Sequence, residues 1–140
     1  MNTKVLLAAL AGGVASYLLG WCFYGMLLSD FFAANVGTAT GVMRDNASLQ
    51  QLPLIAGNLI FGLLYATIFS RWAGITTFMG GAMGGAWVGL LMGLGSNLVS
   101  LGVTNIGNPT SALVDALVAA VIGAIVGGVV GWVLGYGDKK

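Results

Sequence analysis

Apolar positions along the chain gather into four long runs, Val5 to Leu28, Pro53 to Ser70, Ile75 to Leu101 and Thr110 to Tyr136, separated by short polar or turn-forming segments. At about 17–25 residues per crossing, each run is long enough to span a bilayer as a helix, and the last two have length to spare for tilt. The pattern predicts an all-α fold: one membrane domain over residues 1–140, a four-transmembrane-helix bundle running up and down. The spans cover about 5–28, 53–70, 75–101 and 110–136, with an external loop at 29–52. Lys4 followed by "VLLAAL" has the outline of a secretory signal, but the apolar run continues to Leu28, which favours an uncleaved first span. The second connection is a tight turn at "RWAG", with Gly74 ending span two and Thr76 capping span three. Asn108 and Pro109 read as the N-cap and first position of span four.

Small residues recur inside the runs on a four-residue step. In "GGAMGGAWVGLLMGLGSN" they are Gly81, Gly85, Gly89 and Gly93, and Asn97 finishes the row. Glycine costs about 1 kcal/mol relative to alanine in an aqueous helix. In lipid its lack of a side chain instead lets two backbones approach closely, so the row reads as a packing surface. Span four repeats the device with Gly123, Gly127, Gly131 and Gly135, preceded in register by Ala119 and Asp115. A hairpin folded about the link between Gly102 and Pro109 sets Asn97 opposite Asp115, Gly93 opposite Ala119, Gly89 opposite Gly123, Gly85 opposite Gly127 and Gly81 opposite Gly131. Span one carries Ala8, Gly12, Ser16, Gly20 and Tyr24 in the same spacing, and span two carries Asn58, Gly62, Ala66 and Ser70. Gly80, Gly84 and Gly95 widen the small-residue surface of span three, which places that span centrally.

Composition sharpens the class. Hydrophobic residues make up 58% of the chain and charged residues 6%, against about 25% charged in ordinary soluble domains, so the lipid bilayer is the expected surrounding. A net charge of +1 offers no basic stripe to nucleic acid. One cysteine, Cys22, and the absence of His and Glu exclude a conventional metal cluster. No cofactor motif is present, and no Ser/His/Asp, Cys/His or paired-carboxylate set can be assembled, so an enzyme is not expected. Lys4, Arg71, Lys139 and Lys140 fall on one side of the four spans and only Arg44 on the other, which predicts both termini inside the cell. "NAS" at Asn46 matches a glycosylation acceptor, a short pattern common by chance.

Asp115 is the only ionisable acid or base within a span. It lies about 10 Å below the external end of span four at 1.5 Å per residue, and Asn97 and Tyr24 fall at nearly the same depth. Asn58, counted from the tight turn at Arg71, lies deeper, as an interhelical hydrogen-bonder. Three readings of Asp115 compete. It is desolvated interhelical glue bonded to Asn97, a site for a proton, a cation or a cationic substrate group entering from outside, or a water-exposed Asp at a helix entrance near the interface.

Taken together, "AALAGGVASYLLGWCFYGMLLSDFFAAN", "IAGNLIFGLLYATIFSRWAGITTFMGGAMGG" and "TNIGNPTSALVDALVAAVIGAIVGGVVGWVLG" make the chain resemble a group of small bacterial four-helix inner-membrane proteins that carry no known function. The resemblance covers nearly the whole length and implies the fold and an inner-membrane location. The expected role is non-enzymatic: an accessory or interaction protein that self-associates, or binds another membrane protein, through glycine surface left over from its own packing. The alternative is a minimal transporter or channel built on Asp115, Asn97 and Tyr24, with Asn58 as a deeper member.

Overall fold

The computed structural model describes residues 2–45 and 47–137; Asn46 of the glycosylation pattern and the charged residues Asp138, Lys139 and Lys140 lie outside the described residues. Helix α1 (Thr3–Gly20) continues directly into a π-helical segment, Trp21–Leu27, and the short α2 (Ser29–Ala34) opens the first loop. Helix α3 (Gln51–Thr67) also runs into π-helical turns, Ile68–Ala73, while α4 (Phe78–Val103) and α5 (Pro109–Gly135) are uninterrupted. Four helical stretches, Thr3–Leu27, Gln51–Ala73, Phe78–Val103 and Pro109–Gly135, are long and apolar enough to cross a membrane. Among the described residues there is no strand, only an isolated bridge between Val36 and Gly107.

Local chemistry explains the helix ends. Gly74 takes a left-handed conformation at φ 61°, and its N–H and that of Ile75 both reach back to the Phe69 carbonyl. The cap of α4 is Thr77 rather than the expected Thr76: its hydroxyl accepts from the Gly80 N–H at 3.1 Å. The Thr76 carbonyl is instead pressed against Gly135 of α5, so the helix begins one residue later. Asn108 and Ser111 form a reciprocal capping box at the start of α5, with Pro109 in the first turn.

Helices α4 and α5 lie backbone on backbone. A methyl group added at Gly81 would collide with the Gly127 carbonyl, at Gly85 with that of Gly123, and at Gly89 with that of Ala119. At Gly93 it would come within 2.8 Å of the Ala119 methyl. From the other side, Gly123 and Gly127 face the carbonyls of Gly85 and Gly81, and Gly131 faces that of Thr77. Helix α1 approaches α3 in the same way, with Gly62 against the Ala9 carbonyl and the Gly13 nitrogen. Gly12 turns to α5, 2.5 Å from Val130 Cγ2 for an added methyl. Gly13, which stands outside the four-residue row of α1, therefore makes the closer α3 contact. Gly20 departs from its expected packing role: nothing lies within 4 Å of an added methyl there, because α1 and its neighbours have parted at that level to leave a crevice.

The central helix is α5, not span three. Of the residues in its most apolar stretch 44% are buried, against 6% in α4. Its glycine row faces α4, while Val126, Val130 and Leu134 on the next face join Ala8, Ala66 and Phe69 in the core. Helix α4 packs mainly on α5 through its glycine face, and otherwise meets the second span near Tyr65 and Phe69. The space beside Gly80 and Gly84 is filled locally by Thr77, Ile75 and Phe69, and Gly95 meets nothing.

These contacts predict opposite signs for one chemical change. Gly85→Ala should destabilise the protein by about 1–3 kcal/mol, through overpacking against a carbonyl. Gly95→Ala should stabilise it by roughly 0.5–1 kcal/mol, because glycine is the poorer helix former and the space is open. Thermal unfolding of the two variants in detergent checks this; equal shifts would show that the α4–α5 contact is not close.

Candidate functional site

Three elements converge on Asp115. It sits on α5 below the capping box, Asn97 comes from the last third of α4, and Tyr24 comes from the π-helical end of α1. The Tyr24 hydroxyl donates to Oδ1 of Asp115 at 2.7 Å, and Asn97 Nδ2 donates to Oδ2 at 2.5 Å. The same Nδ2 donates to the Gly93 carbonyl at 2.8 Å. With two acceptors converging on it, the amide orientation is determined by the network. Both carboxyl oxygens thus accept from neutral donors, and among the described residues Asp115 is the only Asp, Glu, Lys or Arg lining either of the cavities described below.

The π-helical turns account for Tyr24 reaching this site. A four-residue step overshoots a full α-helical turn by about 40°, so a row such as Ala8, Gly12, Ser16 and Gly20 drifts round the helix. Bonds spanning five residues, such as Leu28 N–H to the Phe23 carbonyl at 2.8 Å, put more residues in each turn. The next four-residue step then falls short of a full turn, and the drift reverses between Gly20 and Tyr24.

Asn58 is not part of this group. It accepts from the Ser16 hydroxyl at 2.7 Å and donates to the Leu54 carbonyl at 2.8 Å. Ser16 is two helical turns from Tyr24, about 12 Å along α1. The bond therefore forms a second polar contact, between α1 and α3, in which Ser16 is 8% exposed.

Two cavities meet at Asp115. A vestibule of about 590 Å³ opens at the loop end, with Phe32, Val36, Met43, Leu101, Ile106 and Ala112 among its walls and Asp115 and Asn97 on its polar side. A crevice of about 400 Å³ lies between α3 and α4, bounded by Asn58, Phe61, Tyr65, Met92 and Ser96. Tyr24 and Asp115 line both cavities, and no other described residue does. Their hydrogen bond stands where the two spaces adjoin.

The roof of the vestibule is made by the two loops clamping each other. Gly37 N–H donates to the Ile106 carbonyl at 2.8 Å and Ala39 N–H to the Asn105 carbonyl at 3.0 Å. A side chain at Gly37 would collide with the Asn105 carbonyl, so glycine permits this approach. Asn108 Nδ2 also reaches Asn35 Oδ1 at 3.5 Å. Farther along the loop, hydrogen bonds from Ser48, its side chain foremost and then its backbone N–H, hold the Asp45 carboxyl below its ordinary value.

No protein-family model, curated protein or solved structure matches this chain. Asp115, Asn97 and Tyr24 come together, Asn58 pairs elsewhere, and sequence reasoning missed Phe32, Met43 and the loop residues of the vestibule. Their contribution depends on loop-to-loop pairing, for which a single sequence carries no periodic signal.

Tyr24→Phe should remove one of the two donors to Asp115 and cost about 1–2 kcal/mol. Ser16→Ala should cost a similar or smaller amount, near the 0.6 kcal/mol average of membrane hydrogen bonds. The two losses should add, because the bonds are separate networks. A double-mutant cycle on thermal stability checks this; strong coupling would place them in one network.

Proposed function

We propose that the protein is a small polytopic protein of the bacterial inner membrane, a bundle packed through its glycine rows, that takes up a cation at Asp115 from the loop side and passes it toward the crevice. The observation that carries this reading is that, among the described residues, Tyr24 and Asp115 alone line both cavities. A carboxyl in low-dielectric surroundings with only neutral donors around it is a costly arrangement unless a cation or proton completes it. Opening of the Tyr24 bond would connect the two spaces, which makes that bond the gate of a minimal transporter. Lys4 and Arg71 at one end of the bundle, with Lys139 and Lys140 in the tail, against Arg44 alone at the other, support termini on the cytoplasmic side and the vestibule outside.

One observation favours a second reading, that of an accessory protein without transport. Both Asp115 oxygens already have a donor, so the group also serves as interhelical glue. The two readings separate in thermal stability measured from acidic to alkaline pH, with and without monovalent or organic cations. Transport predicts a wild-type response to cations that Asp115→Asn abolishes while the fold survives. Glue predicts cation-blind curves, with Asp115→Asn as stable as the wild type or more so and Asp115→Leu destabilised by about 1–3 kcal/mol, since Asn97 loses its partner.

The topology is tested independently. In a Cys22→Ser background, Thr40→Cys should react with an impermeant maleimide from outside intact cells and Trp72→Cys only after permeabilisation. Labelling of both from one side would overturn the orientation.

A further inference from the structure

We infer that the vestibule selects an amphipathic organic ammonium ion, with the charged head on Asp115 and the apolar body against Phe32 and its neighbours. This rests on the reading of Asp115 as a cation site and goes further by naming the class of cation. Four observations support it.

At about 590 Å³, the vestibule falls in the range of roughly 300–1,000 Å³ typical of small-molecule pockets, far more than a proton or a bare inorganic ion fills. Its walls suit poorly a hard cation, which needs a shell of oxygen ligands: Phe32, Val36, Met43, Leu101, Ile106 and Ala112 present carbon and sulfur, and the Ser29, Asn35, Ser100 and Ser111 side chains that also line the space are engaged in hydrogen bonds within the chain. The rings of Tyr24 and Phe32 lie 5.4 Å apart at 39°, and both face the vestibule beside the carboxyl. An aromatic pair next to a carboxylate suits an alkylated ammonium, whose diffuse charge is attracted to ring faces and whose alkyl groups lose little on leaving water. Finally, among the described residues no Lys or Arg lines the cavity to compete for Asp115, and Met43, 78% exposed at its edge, supplies an adaptable side chain that tolerates varied apolar bodies.

The test uses the purified full-length protein in detergent, titrated calorimetrically with benzyltrimethylammonium, with its uncharged carbon isostere neopentylbenzene, and with sodium or potassium chloride, each against protein-free micelles. Saturable binding of benzyltrimethylammonium and none of neopentylbenzene is expected. Asp115→Asn should weaken that binding at least tenfold. Phe32→Leu, which keeps an apolar wall but removes the ring, should weaken it about three- to tenfold. Met43→Lys places a positive charge on an exposed position, so the fold should survive while binding falls several-fold. That variant keeps the test decisive if Asp115→Asn does not fold.

Equal binding of the neutral isostere would overturn the inference, as would ammonium binding indifferent to Phe32→Leu and Met43→Lys. Binding of sodium or potassium, lost in Asp115→Asn, without binding of benzyltrimethylammonium would overturn the ammonium assignment while leaving Asp115 a cation site. Wild-type protein that binds none of these cations would overturn both.

Discussion

Everything in this fold depends on how closely α4 can approach α5. The Gly81, Gly85 and Gly89 positions face carbonyls of α5 that no side chain could accommodate. For helices this long and apolar, a bilayer would supply no hydrophobic force to push them together and would leave dispersion and weak backbone contacts to hold them, so closeness matters. The same contact sets the register of the hairpin, and the register delivers Asn97 to Asp115 at the end of the row. A wider separation would leave both polar groups without this bond.

That tight pair has a structural consequence for the other half of the molecule. With one face of α5 taken by α4, the adjacent face receives α1 and α3 through Val126, Val130, Ala8, Ala66 and Phe69. Helices α3 and α4 meet near the tight turn, where the Tyr65 hydroxyl donates to the Gly85 carbonyl at 3.4 Å and Phe69 packs beside Gly84. Toward the loop end they enclose the crevice instead. Gly20, whose missing side chain meets nothing, belongs to this open region. The bundle thus combines a dense seam with a cavity, and the polar group lies at the border between them.

The Asp115 network is stabilising, and its carboxyl is only half-buried. Its donors satisfy both carboxyl oxygens, yet none of them carries a charge to offset the carboxylate. Hydrogen bonds orient the group, and the vestibule gives it access. The π-helical turns of α1 supply the third member of the set, as such turns do in other helices where a side chain must be re-aimed.

By itself the sequence determined the four apolar spans, the turn at Gly74, the capping box at Asn108 and the four-residue small-residue rows, because hydropathy, turn chemistry and spacing are local properties. The meeting of Asn97 with Asp115 was also legible, since a short link between two long helices leaves little freedom of register. Only the tertiary structure decided that α5 is central, that Gly13, outside the α1 row, packs closely on α3 where Gly12 turns to α5, and that Asn58 pairs with Ser16. Each of these depends on which face of a helix meets which neighbour, and a helix small and apolar all round gives no sign of that choice. The vestibule was hidden for a further reason: its roof comes from two loops joined through backbone bonds at Gly37 and Ile106, and backbone pairing across sixty-odd residues leaves no trace in side-chain identity.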